Sequence, residues 1–357
     1  TYAHTSTCHT FIPPLKSNNM LNGHGDDIYK SSTEIKANFS TNVWYDADTD
    51  LLRSILTTHI DKIFHYPEPA AESFVQEVAR HHNLQPQNVI AGNGATELFY
   101  LIAHAFEGSK TILPIPSFSE YEDACTLYRH QQIFVPLKNF QAGPADLMFI
   151  CNPNNPDGHV WQLEEIENIL QQYPQMTLVV DESFIDFAPT AQPCESLLVR
   201  YPNLLVIHSM TKSYAIPGLR LGYMLGNEDL IDRIRRFTHP WNVNALAIEI
   251  GKFLLQNGKY LLPDTGRLLK RKENFVRAFD ELPGYTPVPS ETSFFLIHTI
   301  HKSPELKQKL LEQFGILIRD ASNFRGLDEH YFRVNTLSEE KNQMLLRALR
   351  LLPITNL

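Results

Sequence analysis

Lys212 lies in the run Ser209-Met210-Thr211-Lys212-Ser213-Tyr214-Ala215-Ile216-Pro217-Gly218-Leu219-Arg220-Leu221-Gly222-Tyr223. A primary amine there is bracketed by the hydroxyls of Ser209 and Thr211 and followed by the guanidinium of Arg220. A lysine amine attacks a carbonyl once it is neutral, and desolvation or a nearby positive charge lowers its pKa toward that state. Hydroxyls and arginine are groups that hold a phosphate. A lysine after a strand is more often a solvated side chain, so it is the company Lys212 keeps that carries information. The set suits a ligand with both an aldehyde and a phosphate, as in pyridoxal 5'-phosphate.

Other residues supply what an isolated lysine lacks. Asp181-Glu182 closes an apolar run; Asp181 either caps the next helix or pairs with a ring nitrogen and keeps it protonated, so that the ring accepts electrons. Asn155 lies in Asn152-Pro153-Asn154-Asn155-Pro156, which reads as a turn or as a source of an amide donor for a phenolic oxygen. Gly92-Asn93-Gly94-Ala95-Thr96 is neither a dinucleotide fingerprint nor a Walker sequence. It still opens a helix, and the first N–H groups of a helix attract anions. Phe118 is a core residue or a plate stacked on a flat ring. Arg319 and Arg333 interrupt the apolar runs Ile316-Leu317-Ile318-Arg319 and Tyr331-Phe332-Arg333-Val334. Arginines so placed tend to face a partner anion, and two of them suggest a substrate with two acidic groups.

These residues need elements to position them. Short apolar runs at Asn88-Val89-Ile90, Thr111-Ile112-Leu113, Leu147 to Ile150, Thr177 to Val180 and Leu204 to Ile207 alternate with helical stretches. That alternation predicts βαβ units and a mostly parallel sheet. Each run ends in a cluster of polar or glycine residues, and ligands of open α/β sheets bind at that edge. After Pro240-Trp241-Asn242 a charged helical region leads to short strands at Ser293 to Ile297, Ile316 to Arg319 and Tyr331 to Val334. The predicted division is an N-terminal segment, 1–45, packing on the small domain and lining the cleft; a large domain, 46–240; and a small α+β domain, 241–357.

Composition narrows the class. A chain of 357 residues exceeds the size at which single cores stop growing, so two domains are expected. A net charge of -9 argues against a nucleic-acid binder, which needs a basic footprint. No apolar run approaches the length of a membrane span, and the first residues carry neither a basic start nor an apolar segment of a signal peptide. The four cysteines, Cys8, Cys125, Cys151 and Cys194, are far apart, and a reduced cytoplasmic protein is expected. Cys8-His9 has no second ligand pair, so no metal site is expected.

Taken together, the lysine loop, Asn154-Asn155-Pro156, the run Asp181-Glu182-Ser183-Phe184-Ile185-Asp186-Phe187 and the C-terminal arginines resemble fold-type I pyridoxal-phosphate enzymes, the aspartate aminotransferase superfamily. Within it the chain is similar to the branch holding histidinol-phosphate aminotransferases and threonine-phosphate decarboxylases, from about His24 onward. The resemblance implies a large domain with a mostly parallel, helix-flanked sheet of the seven-stranded type and a smaller α+β domain. It also implies that Lys212 carries the cofactor, that Asp181 pairs with the ring nitrogen and Asn155 with the phenolic oxygen, and that Phe118 stacks on the ring. Ala95, Thr96, Ser209, Thr211 and Arg220 would hold the cofactor phosphate, joined by Tyr66 from a neighbouring subunit of a homodimer. Arg333 would bind the substrate carboxylate, and Arg319 and His24 its phosphate end.

Details tilt the resemblance toward the decarboxylases. His24-Gly25 resembles their N-terminal motif, Pro240-Trp241-Asn242-Val243-Asn244-Ala245-Leu246-Ala247 is close to theirs, and Phe184 stands where most relatives carry a tyrosine. Asp26 and the segment Asn42-Val43-Trp44-Tyr45 depart from the pattern, and Asn42 falls where relatives line the substrate cleft. The expected activity is decarboxylation of L-threonine O-3-phosphate, as in cobalamin side-chain synthesis. The alternatives are a class I/II aminotransferase such as one acting on histidinol phosphate, and a non-catalytic regulatory domain on the same fold.

Overall fold

The computed structural model describes residues 24–352; Cys8, His9 and the rest of the expected N-terminal segment before His24 lie outside the described residues. Strand β1 (Ala37–Asn38) comes first. The large sheet follows: β2 (Val89–Gly92), β3 (Lys110–Ile115), β4 (Gln131–Pro136), β5 (Leu147–Cys151), β6 (Thr177–Asp181), β7 (Leu204–Ser209) and β8 (Gly222–Gly226). β5 and β6 are buried along their whole length. Continuous apolar runs of that kind belong to parallel strands covered by helices on both faces.

The sheet order is β2-β8-β7-β6-β5-β3-β4, and every pairing is parallel except those of β8. Register brings the strand ends level: Cys151 pairs with Asp181, and Asp181 with Ile207. The polar clusters after β5, β6 and β7 therefore meet at one edge although they lie far apart in sequence. β8 runs back beside β7, Ser209 pairing with Gly222, so the lysine run is the connection between antiparallel neighbours and must fold over that edge.

The second sheet holds β9 (Tyr285–Pro287), β10 (Phe294–Thr299), β12 (Arg319–Asp320) and β13 (Tyr331–Asn335) in the order β12-β13-β10-β9. The run Ile316 to Arg319, expected as one strand, is two. β11 (Ile316–Leu317) pairs in parallel with β1, whereas β12 pairs antiparallel with β13. The chain switches sheets at Ile318, which buries its side chain in the small core.

The N-terminal segment is stitched to the small sheet by Phe39 N–H on the Leu317 carbonyl (2.8 Å) and Asn335 N–H on the Phe39 carbonyl (3.0 Å). Trp44 N–H then donates to the Lys212 carbonyl at 2.9 Å. Apolar packing does not change at residue 240: Ile248, Ile250 and Leu254 share a core with Phe74 and Val206, Leu268 packs in the core of Leu98 and Phe149, and only from Phe275 does the chain join the small core of Ala37 and Phe39. Among the described residues no helix is long and apolar enough to cross a membrane.

Candidate active site

One cleft, between the strand ends and the second sheet, gathers nearly all the residues singled out above. Lys212 lies in the short helix Met210–Ser213, directly after β7. Its amine makes no hydrogen bond or ion pair with any described residue. Burial, then Arg220 and Arg333, bring its pKa down to about 8. The neutral, nucleophilic form is thus within reach near neutral pH.

Asp181 ends β6 and is buried. Ser183 donates to its Oδ1 from both N–H (2.9 Å) and hydroxyl (2.5 Å), and Tyr121 Oη donates to Oδ2. Burial raises its pKa, while Ser183, Tyr121 and Lys212 work against the rise. A cation facing this carboxylate would complete its neutralisation.

Asn155 Oδ1 accepts a hydrogen bond from Arg333 Nη1. An arginine has only donors, so it fixes which way the amide points. The NH2 group is thereby left to the cleft, where it can donate to an anionic oxygen. Phe118 also lines the cleft, held edge-on by Tyr121 at 5.7 Å and Phe99 at 6.3 Å between ring centres.

The floor of the cleft is an anion cup. The helix Gly94–Ala105 has no side-chain cap at Asn93, so the N–H groups of its first turn, at Ala95 and Thr96, remain free. Arg220 stands against that helix start: a Cβ at Gly94, which has φ +78°, would lie 2.3 Å from Arg220 Nη2. Only glycine combines that φ with so close an approach. The positive end of a helix dipole and a guanidinium repel one another unless an anion lies between them, and Arg220 makes no ion pair among the described residues. Ser209 and Thr211 complete the cup, their hydroxyls 2.8 Å apart. A phosphate fits this donor set, and the whole cleft fits a flat ring bearing a phosphate, an aldehyde and a basic nitrogen.

The opposite wall carries Arg319 and Arg333, both buried and directly opposite one another across β12 and β13. Arg333 Nη2 donates to the Ser40 carbonyl at 2.9 Å, and its Nε has no partner. Arg319 donates to the Asp320 carbonyl and to Asn323 Oδ1 (2.9 Å). Burial pushes Arg319 down to about 10; burial and the charge of Arg319 push Arg333 well below the usual arginine range. Asn42 is buried at the same wall with neither amide atom hydrogen-bonded. His24 lines the cleft and pairs with Glu120 at 2.9 Å. Glu120, Tyr121, Ser183 and the Ser40 carbonyl were not singled out from sequence; Tyr121 falls within the aromatic run that ends the Phe118 segment, the only signal that pointed its way.

Tyr66 is not in this cleft. It is 84% exposed, its ring 5.2 Å from that of Trp241 on the outer surface.

The threonine-phosphate decarboxylase of Salmonella typhimurium is 31% identical over 348 residues, spanning 92% of this chain and 95% of its own. A histidinol-phosphate aminotransferase of Thermoanaerobacter pseudethanolicus is 32% identical over 299 residues, spanning 80% of this chain and 83% of its own. The crystal structure of L-threonine-O-3-phosphate decarboxylase from Porphyromonas gingivalis superposes with a TM-score of 0.85 at 39% identity, over 88% of this chain and 98% of that one. The family model for aminotransferase class I and II matches residues 34–349. With that match spanning the cleft and both sheets, the chain belongs to the aminotransferase class I and II family.

Proposed function

We propose that this protein is a pyridoxal-phosphate-dependent lyase that decarboxylates L-threonine O-3-phosphate to an aminopropanol phosphate. The observation that carries the reading is the buried pair Arg319 and Arg333 on one wall of the cleft, facing each other across two strands. Like charges directly opposite in a sheet are destabilising. Two anions, a carboxylate and a phosphate on one substrate, resolve that repulsion. The extent and identity of the match to decarboxylases support the same substrate.

Bound pyridoxal phosphate supplies an aldehyde that captures amines and a ring that accepts the electron pair of the bond broken at Cα. The chain's residues do the rest. Ser209, Thr211, Arg220 and the N–H groups of Ala95 and Thr96 would hold the cofactor phosphate. Asp181 would balance a positive ring nitrogen, the Asn155 amide would donate to the phenolic oxygen, and Phe118 would stack on the ring. Arg333 takes the substrate carboxylate, and Arg319 with His24 takes its phosphate. Clamping both ends would fix the rotation about Cα and so select which of its bonds breaks. Loss of the carboxylate as carbon dioxide would leave its electron pair with the bound cofactor, and Lys212 Nζ would deliver the proton that replaces it.

Incubation with phosphothreonine is expected to release carbon dioxide in step with substrate loss and to need no 2-oxo acid. A second reading, transamination, rests on the similarity to histidinol-phosphate aminotransferases. Formation of glutamate-dependent product from a phosphorylated substrate, with no carbon dioxide, would establish it in place of the first.

We infer that the enzyme works as a homodimer in a reducing compartment such as the cytoplasm, which suits the buried free thiols of Cys125, Cys151 and Cys194. Tyr66, Phe64, Ile63, Ile60 and Trp241 leave large apolar groups exposed on one stretch of surface, which is typical of an interface. Tyr66 then reaches the cofactor phosphate of the partner. Light scattering is expected to give twice the chain mass. Tyr66→Ala should weaken cofactor binding about tenfold, the loss of one hydrogen bond to a charged group, with the dimer mass unchanged. A monomer at assay concentration defeats this inference.

A further inference from the structure

Behind the strand ends that form the cleft lies a second cluster. His208 precedes Ser209 on β7, and Glu182 follows Asp181 after β6. Successive residues of an extended strand face opposite sides, so His208 and Glu182 point away from the cleft while their neighbours line it. His82, at the end of the helix Glu72–His81, and Glu195, in the turn Cys194–Leu197, complete the group.

One donor atom from each of His82, Glu195 and His208 lies within 4.8 Å of the others. His82 Nδ1 is 3.0 Å from Glu195 Oε1, and His208 Nε2 is 3.5 Å from both Glu195 Oε1 and Glu182 Oε2. Bonds of about 2.0–2.2 Å to a tetrahedral zinc ion separate its ligand atoms by about 3.3–3.6 Å. A second observation points the same way. His208 Nε2 and Glu182 Oε2 are buried with no hydrogen-bond partner among the described residues, and the Glu182 side chain is 0% exposed. Glu182 Oε1 is occupied by the Cys194 N–H at 2.7 Å, which aims the free oxygen into the cluster. A buried carboxylate oxygen facing only another carboxylate and an imidazole is costly unless a cation joins them. The ring of His82 is fixed from behind, its Nε2 2.9 Å from Tyr223 Oη, as the outer nitrogen of a metal-binding histidine usually is.

We propose that His82, Glu195 and His208 form a structural site for a divalent metal ion of the zinc class, with the free oxygen of Glu182 facing it from beside His208. The site lies on the face of the sheet away from the cleft, so the ion ties β7 to the end of the helix Glu72–His81 and to the turn Cys194–Leu197 rather than touching substrate. It braces Ser209 from the far side of the sheet.

The holoenzyme, freed of metal by chelator and dialysed against Zn2+, is expected to take up one ion per chain and to melt at a higher temperature. His82→Gln and Glu195→Gln should each weaken uptake about 10²-fold or more and remove the rise in melting temperature. Co2+ in place of Zn2+ should give the intense visible bands of a tetrahedral site in the unsubstituted protein, a measurement that stands even if a variant fails to fold. Substoichiometric zinc, uptake undiminished in both variants, or the weak spectrum of six-coordinate cobalt overturns the proposal.

Discussion

Lys212→Ala is expected to lower turnover by about 10³-fold or more, within the range contributed by a positioned proton donor, with further loss from the missing covalent anchor. The fold should survive. Lys212 forms no ion pair among the described residues, and the repulsion from Arg220 and Arg333 that its removal relieves outweighs its attraction to Asp181. Two readouts separate a chemical role from a structural one. Borohydride should fix cofactor mass onto the unsubstituted chain and not onto the variant. Uptake of cofactor by the cofactor-free, unsubstituted protein should also quicken as pH rises through about 8, because only the neutral amine captures an aldehyde and the pKa of Lys212 lies there. At pH 7 that leaves roughly one amine in ten neutral, against roughly one in 3,000 at the ordinary lysine value. A variant that keeps more than about a tenth of the activity removes Lys212 from the proton transfer assigned to it.

That lysine was legible because its signal is local: a strand, a polar turn and a glycine-bounded return. The parallel core was legible for the same reason, since strands buried on both faces are runs of Val, Ile and Leu. What escaped depends on partners without a residue signature. β4 is a half-exposed edge strand that starts on two glutamines and ends on a proline, and β8 follows the lysine loop so closely that its residues read as part of it. The break at Ile318 arises because β1 arrives from the distant N-terminal segment to pair with β11. The Ser40 carbonyl that holds Arg333 and the Trp44 N–H that holds the Lys212 loop are backbone groups, present in any sequence. Tyr121 and Ser183 are side chains of common core and turn types, and only the helix Ser119–Leu127, which follows β3 and stacks Tyr121 on Phe149 of β5, brings Tyr121 to Asp181. The cluster of His82, Glu182, Glu195 and His208 has no spacing that a motif would detect, because it is assembled from elements on one face of the sheet.

Arg319 and Arg333 look equivalent in sequence, yet their substitutions should differ. Arg319→Met is expected to lower kcat/KM for phosphothreonine by about 10²-fold or more, the cost of leaving a buried anion without its charged partner. The same change should move the melting temperature of the substrate-free protein little, because relief of the two opposed cations is offset by the loss of the donor to the Asp320 carbonyl and Asn323 Oδ1, which are only partly buried. Arg333→Met should cost at least as much activity and also lower the melting temperature. It leaves Asn155 Oδ1 and the Ser40 carbonyl without their donor, and an unsatisfied buried acceptor costs about 1–3 kcal/mol. Freed from Arg333, the Asn155 amide no longer has a fixed orientation, so cofactor affinity should fall in Arg333→Met and hold in Arg319→Met. Phosphothreonine itself should stabilise the unsubstituted enzyme and neither variant, since binding to the folded state alone raises stability by mass action. Arg319→Met with kcat/KM within threefold of the unsubstituted enzyme would mean that the paired guanidiniums do not hold the two ends of the substrate, and the choice between losing carbon dioxide and losing a proton would then have to be made elsewhere in the cleft.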